Sequence, residues 1–440
     1  MSKKILKNYP SRLPLFVFAF FDLFVPLILL YVVHSLLLDK YWLEKYTWLG
    51  VLSGVSMFLG VRLLNGYSRY SDRSIAKKLE LIFKTWFLVV VSLIFVAFLN
   101  LVAQDYSRLV ILTWALITPF VLLALRLTFD KILYSSGKTK TLVGIIGNYD
   151  FTEFEKIRLK KKRIEVIKIS VSNHDEIVRA IDEIDYDFVV IDVGIKAPND
   201  LVSEISKFKK LKLIKMHQFM ELFLRKCYVD YNSEDLSYFR EIRGYSTSEF
   251  FLKRILDVVS AILILIITLP ILIYSAAKIR SQSPGPIFFK QKRVGLMGNE
   301  FTLFKLRSMH MDAEKNGPVF ATANDSRAFP YGAFMRKTRI DELPQLLNVI
   351  KGDIHIVGPR PERKVFVDEL LIEIPFYGER HLISPGITGW AQVMFPYGSS
   401  TEDARQKLMY DLYYIKNWSI WLEIETLIKT FVVVFGKKGF

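Results

Sequence analysis

The sequence predicts a multidomain membrane protein: a four-helix transmembrane bundle at 1–134, a small α/β domain at 141–229, a linker at 230–250, and a C-terminal part at 251–440 that opens with one more apolar segment. Three observations carry that prediction. Four apolar segments, at roughly 13–38, 46–64, 83–103 and 109–129, are each long enough to cross a bilayer. Between Thr141 and Val229 short strand-like runs alternate with helical ones, the pattern of a parallel sheet. The chain is 51% hydrophobic with 34 Phe and 21 Tyr, a level that points to membrane contact.

The formal net charge is +16. Basic residues gather beside apolar segments and no nucleic-acid motif accompanies them, so the charge suits anionic lipid and phosphate groups rather than nucleic acid. The single cysteine, Cys227, excludes an intrachain disulfide framework and reads as a packed thiol. The six histidines show no zinc-type spacing.

Lys3, Lys4, Lys7 and Arg12 precede the first span, which is too long for a signal peptide and lacks a small-residue cleavage site. Arg69, Arg73, Lys77 and Lys78 lie between the second and third spans, and the other two loops are poor in Lys and Arg. The positive-inside rule then puts both ends of the bundle in the cytoplasm. Asp22 lies inside the first span, with Arg62 and Arg126 near the cytoplasmic ends of two others. Charge in a membrane interior is costly unless paired, so Asp22 is expected to pair with one of these arginines.

In the α/β domain the expected strands are Leu142–Ile146, Glu165–Ile169, Phe188–Val193 and Leu211–Lys215, with helices at Asp175–Ile184 and Leu201–Phe208. The first turn, Gly144-Ile-Ile-Gly147-Asn-Tyr, lacks the Gly-x-Gly-x-x-Gly spacing that lets a backbone approach a dinucleotide pyrophosphate. A degenerate, structural or regulatory Rossmann-like domain is expected, without a working cofactor site.

Lys253 and Arg254 lead into the apolar run Val258–Ala277, which Lys278 and Arg280 close. Its length allows a fifth crossing. Its basic flanks and Pro270, which removes a backbone hydrogen bond midway, allow instead a helix that dips into the membrane and returns. Such a break needs partners for freed carbonyls, and Thr268 is a candidate. Val365–Ile374 and Trp418–Phe435 suit either core packing or the membrane interface. Lys437 and Lys438 after the second of them suit an anionic lipid surface.

The chemistry centres on Arg336-Lys-Thr-Arg-Ile-Asp341-Glu342-Leu-Pro344-Gln-Leu-Leu-Asn348-Val-Ile-Lys351-Gly352-Asp353, followed by Gly358-Pro359-Arg360-Pro361. Two adjacent carboxylates stand between basic residues and an apolar helical run. Either Thr338 or Asp341 caps that helix, and both choices put Asp341 at a helix N-terminus, where a carboxylate stays ionised and phosphate can bind. An ionised Asp beside Arg336 and Arg339 could attack phosphorus.

Further motifs flank this stretch: Ser283-Pro-Gly-Pro-Ile-Phe-Phe-Lys-Gln291-Lys-Arg293-Val-Gly295, Phe304-Lys305-Leu-Arg307-Ser308-Met309, Pro385-Gly386-Ile-Thr388-Gly389-Trp390-Ala-Gln392-Val, and Asp411-Leu-Tyr-Tyr414. Together, and in this order, they resemble the bacterial sugar transferase family, the monotopic polyprenyl-phosphate phosphoglycosyl transferases, from about Phe251 to the C-terminus. The tail from Trp390 through Pro396-Tyr397-Gly398, with Glu402-Asp403-Ala404 after it, resembles the exosortase-associated exopolysaccharide branch. Met394-Phe395-Pro396-Tyr397 stands where many relatives carry an Asn-containing turn, so substrate preference does not carry over.

The resemblance implies an α+β catalytic domain with a re-entrant helix at about 254–280 broken at Pro270. It also implies a bacterial inner-membrane location with the catalytic domain on the cytoplasmic face, and a homodimer. The implied reaction moves a phosphosugar from a UDP-sugar to polyprenyl phosphate and begins exopolysaccharide or other surface-glycan assembly. Asp341 takes the nucleophile's role through a covalent acyl-phosphate. Glu342 binds Mg²⁺ with Asp341 or assists proton transfer. Lys305, Arg307, Arg336 and Arg360 are candidate phosphate contacts, with Arg360 stiffened by Pro359 and Pro361. Gln291, Arg293 and Asp411 are further candidates, local packing being an equal reading for Asp411. The alternatives are a glycosyltransferase that releases UDP and a non-enzymatic scaffold for polysaccharide export.

Overall fold

A computed structural model describes residues 13–38, 44–64, 66–67, 75–99, 106–136, 140–147, 149–169, 174–184, 186–192, 212–229, 241–313, 325–395, 398 and 400–435. The chain divides into two compact units, Met1–Thr139 and Lys140–Phe440.

The first unit is built from four helices, α1 Leu13–Leu37, α2 Glu44–Leu63, α3 Ile75–Leu99 and α4 Arg108–Ser136. Its interior holds Phe18, Leu30, Met57, Ile82, Trp86, Trp114 and Leu122, while Phe16, Phe20, Ile28, Trp48, Leu112 and Phe120 face outward. Large apolar side chains on the outside of a bundle suit lipid rather than water. Among the described residues α1, α2 and α4 carry stretches long and apolar enough to cross a membrane, as does one helix of the second unit, Thr247–Gln282. Gly50 and Gly54, one turn apart on α2, let it close on α1: a Cβ on Gly54 would stand 2.1 Å from the Leu23 carbonyl oxygen. Asp22 pairs with Arg126, as expected, and also accepts from the Tyr67 hydroxyl at 2.5 Å.

The second unit begins with β1 Thr141–Ile146, α5 Glu153–Lys161, β2 Ile164–Ile169, α6 His174–Glu183, β3 Phe188–Ile191 and β4 Lys212–Lys215. The four strands form one parallel sheet in the order β2-β1-β3-β4, close to the expected positions. The expected helix Leu201–Phe208 lies outside the described residues, as do Arg69, Arg73, Pro396, Tyr397, Lys437 and Lys438. Strand alternation gives the sheet two different faces. Ile146, Ile169 and Val189 pack with Ile177 and Ile181 of α6 in a small core. Val143, Ile145 and Val190 join a larger core that continues into the C-terminal part through Met216, Phe219, Leu224 and Val229. Cys227 is buried there.

A short helical segment, α7 Met216–Phe219, runs on through a π turn, Met220–Leu224. The long helix α8, Thr247–Gln282, starts on a capping box between Ser246 and Glu249 and passes through Pro270 without losing its helical run. Thr268 donates to the Ile264 carbonyl, not to that of Ile266, which Pro270 leaves without its N–H. There follow the hairpin β5 Phe288–Val294 and β6 Glu300–Leu306, then α9 Pro330–Thr338, α10 Gln345–Lys351, β7 His355–Val357, α11 Lys364–Glu373 and β8 Gly386–Thr388. The chain ends in α12 Trp390–Met394, α13 Thr401–Lys416 and α14 Ile420–Phe435.

Segments 365–374 and 418–435 each have a buried side that packs in the core and an exposed apolar side. Val367, Ile374, Leu422 and Thr426 are buried, whereas Val365, Leu371, Ile372, Leu427, Ile428, Phe431 and Val432 are exposed.

Candidate active site

Asp341 and Glu342 sit in a single 3₁₀ turn, Ile340–Glu342. Arg339, left-handed at φ 61°, ends α9 and starts that turn. This corrects the expected helix start. Thr338 closes the preceding helix by bonding the Phe334 and Met335 carbonyls, at 2.9 and 3.3 Å. Pro344, which needs no N–H there, stands at the N-cap of α10. Asp341 therefore precedes α10 instead of capping it.

Asn348 fixes the turn against the hairpin. Its amide donates to the Thr302 carbonyl at 2.7 Å and to Asp353 at 2.8 Å, and its oxygen accepts from the Phe304 N–H at 3.0 Å. Lys305, next on β6, then reaches Glu342 at 2.9 Å. Arg360 and Arg339 approach the same Glu342 oxygen at 3.4 and 3.8 Å. Burial alone would raise the Glu342 carboxyl, but Lys305, then Arg360 and Arg339, outweigh it and hold Glu342 well below the ordinary carboxylate range. Burial, and after it the charge of Glu342, pushes Asp341 up to about 6 against Lys305, Arg339 and Arg336. Burial thus overrides the helix-end argument for a strongly ionised Asp341. Its Oδ1 is buried and has no hydrogen-bond partner.

The turn that presents Arg360 is held from several sides. β7 and β8 pair in parallel, the Gly358 N–H donates to the Thr388 carbonyl at 2.9 Å, and the Gly386 N–H donates to the Pro359 carbonyl at 2.8 Å. The backbones touch so closely that a Cβ on Gly386 would stand 2.1 Å from the Gly358 nitrogen. Arg293 donates to the Pro361 carbonyl at 3.1 Å and to Gln291 at 2.6 Å. Arg380, buried, donates to the Arg360 carbonyl at 3.0 Å, to Tyr377 at 2.8 Å and to Asp411 at 2.9 Å. Burial, opposed by Arg380, pushes Asp411 up to about 6.

Of the expected site residues, the structure gathers Asp341, Glu342, Lys305 and Arg360. Gln291, Arg293, Pro359, Pro361 and Asp411 stand behind Arg360. Arg336 lies 3.9 Å from Asp325 and adds to the positive field at Asp341. Arg307 does something else: it is buried and binds Ser283 Oγ and the carbonyls of Ser283, Pro284 and Pro286, at 2.6–3.0 Å, which holds the Ser283–Pro286 turn. Arg380, Tyr377 and Asn348 were not foreseen.

A profile described as bacterial sugar transferase matches residues 248–437, which contain all of these groups. Over 188 residues the chain is 39% identical to an uncharacterized sugar transferase, EpsL, of Bacillus subtilis, covering 89% of that protein and 43% of this chain. The chain belongs to the bacterial sugar transferase family. Two other members are named for their reactions. A UDP-N-acetylgalactosamine-undecaprenyl-phosphate N-acetylgalactosaminephosphotransferase of Aeromonas hydrophila is 45% identical over 180 residues, 41% of this chain and 43% of that protein. A UDP-glucose:undecaprenyl-phosphate glucose-1-phosphate transferase of Caulobacter vibrioides is 42% identical over 182 residues, 40% of this chain and 67% of that protein. The chain thus spans less than half the length of the Aeromonas relative. A second profile, described as CoA-binding domain, matches residues 62–188.

For a divalent cation, the sugar transferase dyad offers one fitting ligand. The orphan Oδ1 of Asp341 suits Mg²⁺, which binds few carboxylates and takes the rest of its shell from substrate phosphate and water. Glu342 fits less well, because three cations already crowd its Oε1. Its depressed pKa also argues against proton transfer. Among the described residues no group of three or more His, Cys, Asp or Glu side chains is placed to hold a metal ion.

Proposed function

We propose that this sugar transferase moves a phosphosugar from a UDP-sugar to a polyprenyl phosphate and releases UMP. The observation that carries the reading is the buried, unpartnered Asp341 oxygen beside a Glu342 ringed by Lys305, Arg339 and Arg360. The named reactions of the relatives support the same chemistry.

In the first half-reaction an Asp341 oxygen attacks the phosphorus that carries the sugar. The bond from that phosphorus to the UMP oxygen breaks, and UMP leaves with the electron pair. In the second, an oxygen of the lipid phosphate attacks the same phosphorus and Asp341 departs as carboxylate. Lys305 and Arg360 neutralise the donor phosphates, and Glu342 holds both cations toward the site. Asp411, through Arg380, keeps Arg360 in place. A Mg²⁺ held by Asp341 and the substrate phosphates would supply further charge neutralisation.

The acceptor is a lipid, and α8 suits its delivery as a re-entrant helix. One end docks through Arg254 on the Ile350 carbonyl at 2.6 Å and Asp257 on His355 at 2.6 Å. The other docks through Ser275 on Tyr331 at 2.9 Å and Gln282 on the Tyr331 N–H at 2.8 Å. No side chain between Ala261 and Ser275 is buried. An apolar helix with both ends docked on one body favours a position on one side of the membrane over a full crossing, on the cytoplasmic face where nucleotide sugars are. The α/β sheet is read as structural or regulatory, since its first turn, Gly144-Ile-Ile-Gly147, lacks the Gly-x-Gly-x-x-Gly spacing.

The test is nucleotide release from purified protein given undecaprenyl phosphate, Mg²⁺ and a panel of UDP-sugars. UMP release that Asp341→Asn abolishes, with membrane insertion unchanged, is expected. UDP release, or an active Asp341→Asn, refutes the mechanism.

A further inference from the structure

Away from the dyad, the second unit gathers another concentration of positive charge. Arg158 and Lys162 come from the C-terminal end of α5. Arg225, left-handed at φ 57°, ends the π turn, and Lys429 lies on α14. Arg225 and Lys429 meet around Trp390 and Glu425, and Arg158 and Lys162 lie within electrostatic reach of them. The Arg225 guanidinium lies 4.4 Å from the Trp390 ring centroid, and the Lys429 ammonium lies 5.8 Å from the same ring. Glu425 takes Arg225 at 2.6 Å and Lys429 at 3.8 Å. Arg158 donates to the carbonyl of Met394, at the far end of the helix that Trp390 opens, at 2.5 Å. Lys162 donates to the Phe223 carbonyl, two residues before Arg225, at 2.7 Å.

Three other cations in this unit each meet at least one carboxylate. Lys226 meets Glu155, Lys416 lies between Glu221 and Glu241, and Lys253 lies between Asp257 and Glu423. Around Trp390, Arg225 and Lys429 pair with Glu425, whose charge also reaches Lys162, while Arg158 donates to the Met394 carbonyl and the Tyr410 hydroxyl. Burial, then Arg225, Arg158 and Lys429, push Lys162 down to about 8. Burial lowers Lys429 too, with Arg225 and Arg158 adding to it and Glu425 opposing. A bound dianion would relieve that repulsion, and arginine beside lysine is a common pairing for phosphate oxygens.

We propose that Arg158, Lys162, Arg225 and Lys429 form, around Trp390, a binding site for a phosphate-bearing group, separate from the catalytic dyad. Two sources carry this chemistry. One is an anionic lipid headgroup, since Lys429 shares α14 with the exposed Leu427, Ile428, Phe431 and Val432. The other is a soluble pyrophosphate or nucleotide.

The experiment uses the full chain in phosphatidylcholine nanodiscs, with inorganic pyrophosphate as the probe in calorimetric titration. Lys162→Gln/Lys429→Gln is compared with the natural protein. Glutamine removes the charge and keeps a polar side chain at both positions, and an unchanged melting temperature in phosphatidylcholine shows that the variant is folded. Loss of two charge-assisted contacts should weaken one class of pyrophosphate site by at least about tenfold, leaving the dyad's contribution in place. Adding phosphatidylglycerol separates the sources. If it competes with pyrophosphate and raises the melting temperature of the natural protein but not of the variant, the headgroup is the ligand. If it does neither while the pyrophosphate difference stands, the ligand is soluble. Identical isotherms for the two proteins, with equal response to phosphatidylglycerol, overturn the proposal. None of these readouts depends on turnover, so the site stands or falls apart from the proposed reaction.

Discussion

The role proposed for Asp341 as nucleophile needs two properties that burial sets against each other. It must be ionised to attack phosphorus, and it must be shielded from water and from partners that would quench it. Burial and the neighbouring Glu342 raise its pKa to about 6, which leaves most of it ionised at neutral pH. Glu342 stays charged because Lys305, Arg360 and Arg339 outweigh its own burial. Two adjacent acids are thereby driven apart, one to titrate near neutrality and one to remain an anchor for cations. The sign of the pH dependence follows. Without a bound cation Asp341 holds a proton below about 6, and Mg²⁺ on its Oδ1 would lower that point, so kcat/KM should rise with pH to a limb at or below about 6 and level off above it. Glu342→Gln removes the charge that helps raise Asp341 and frees Lys305 to favour its ionised form. The rising limb should therefore move to lower pH, although the maximum rate falls because Lys305 and Arg360 lose their anchor. A pH profile of kcat/KM for both proteins checks this, and an unmoved limb in Glu342→Gln contradicts the coupling.

Among the elements, the β7–β8 pair does the most to aim the site, because Arg360 hangs on the turn that leaves β7. Gly386→Ala would drive a Cβ into the Gly358 nitrogen at 2.1 Å and the Thr388 oxygen at 2.6 Å, both backbone atoms that cannot swing aside. Overpacking of that kind should cost about 3 kcal/mol or more and lower the melting temperature together with turnover; a fully active, equally stable Gly386→Ala would show that the strands can part. In the bundle, the Asp22–Arg126 pair joins α1 to α4 in an apolar interior. Asp22→Ala takes away the carboxylate that Arg126 pairs with and should cost about 3–5 kcal/mol, whereas Asp22→Leu/Arg126→Met should recover most of that loss. Yield of folded protein from membranes distinguishes the two. These elements also mark what the sequence could and could not tell. The four parallel strands were legible because strand and helix periods alternate cleanly, and the Asp22 pairing was legible because a buried membrane charge has few other options. The start of α10 was not, because Arg339 takes a left-handed conformation with no glycine to announce it. Arg307 read as a phosphate ligand by proximity in sequence, yet its side chain turns to four partners in the Ser283–Pro286 turn. Arg380 and Asn348 act through contacts between segments 20 and 46 residues apart, which no local pattern reveals.

For the molecule as a whole, every group gathered at the dyad, and every residue found holding those groups, lies in Lys140–Phe440. Lys305 comes from β6, Asp341 and Glu342 from the 3₁₀ turn, and Arg360 from the turn after β7. Asn348, Arg380 and Asp411 all lie within the segment that the bacterial sugar transferase profile matches. The Bacillus relative, 89% of which aligns with this chain over 188 residues, matches only that share of it. The bundle has its own core and its own buried ion pair. Removing residues 1–139 should therefore leave Asp341-dependent nucleotide release from detergent-solubilised protein within about tenfold of the full chain, a loss of no more than about 1.4 kcal/mol in transition-state stabilisation. The measurement compares kcat/KM of residues 140–440 with that of the whole protein, using a water-soluble short-chain polyprenyl phosphate so that membrane delivery does not enter. Retained turnover places the chemistry in the second unit alone and leaves the bundle to localisation. A larger fall, with the shortened protein folded by circular dichroism, means that the first unit contributes to the active state, and the self-sufficiency argued from the dyad's geometry is then wrong.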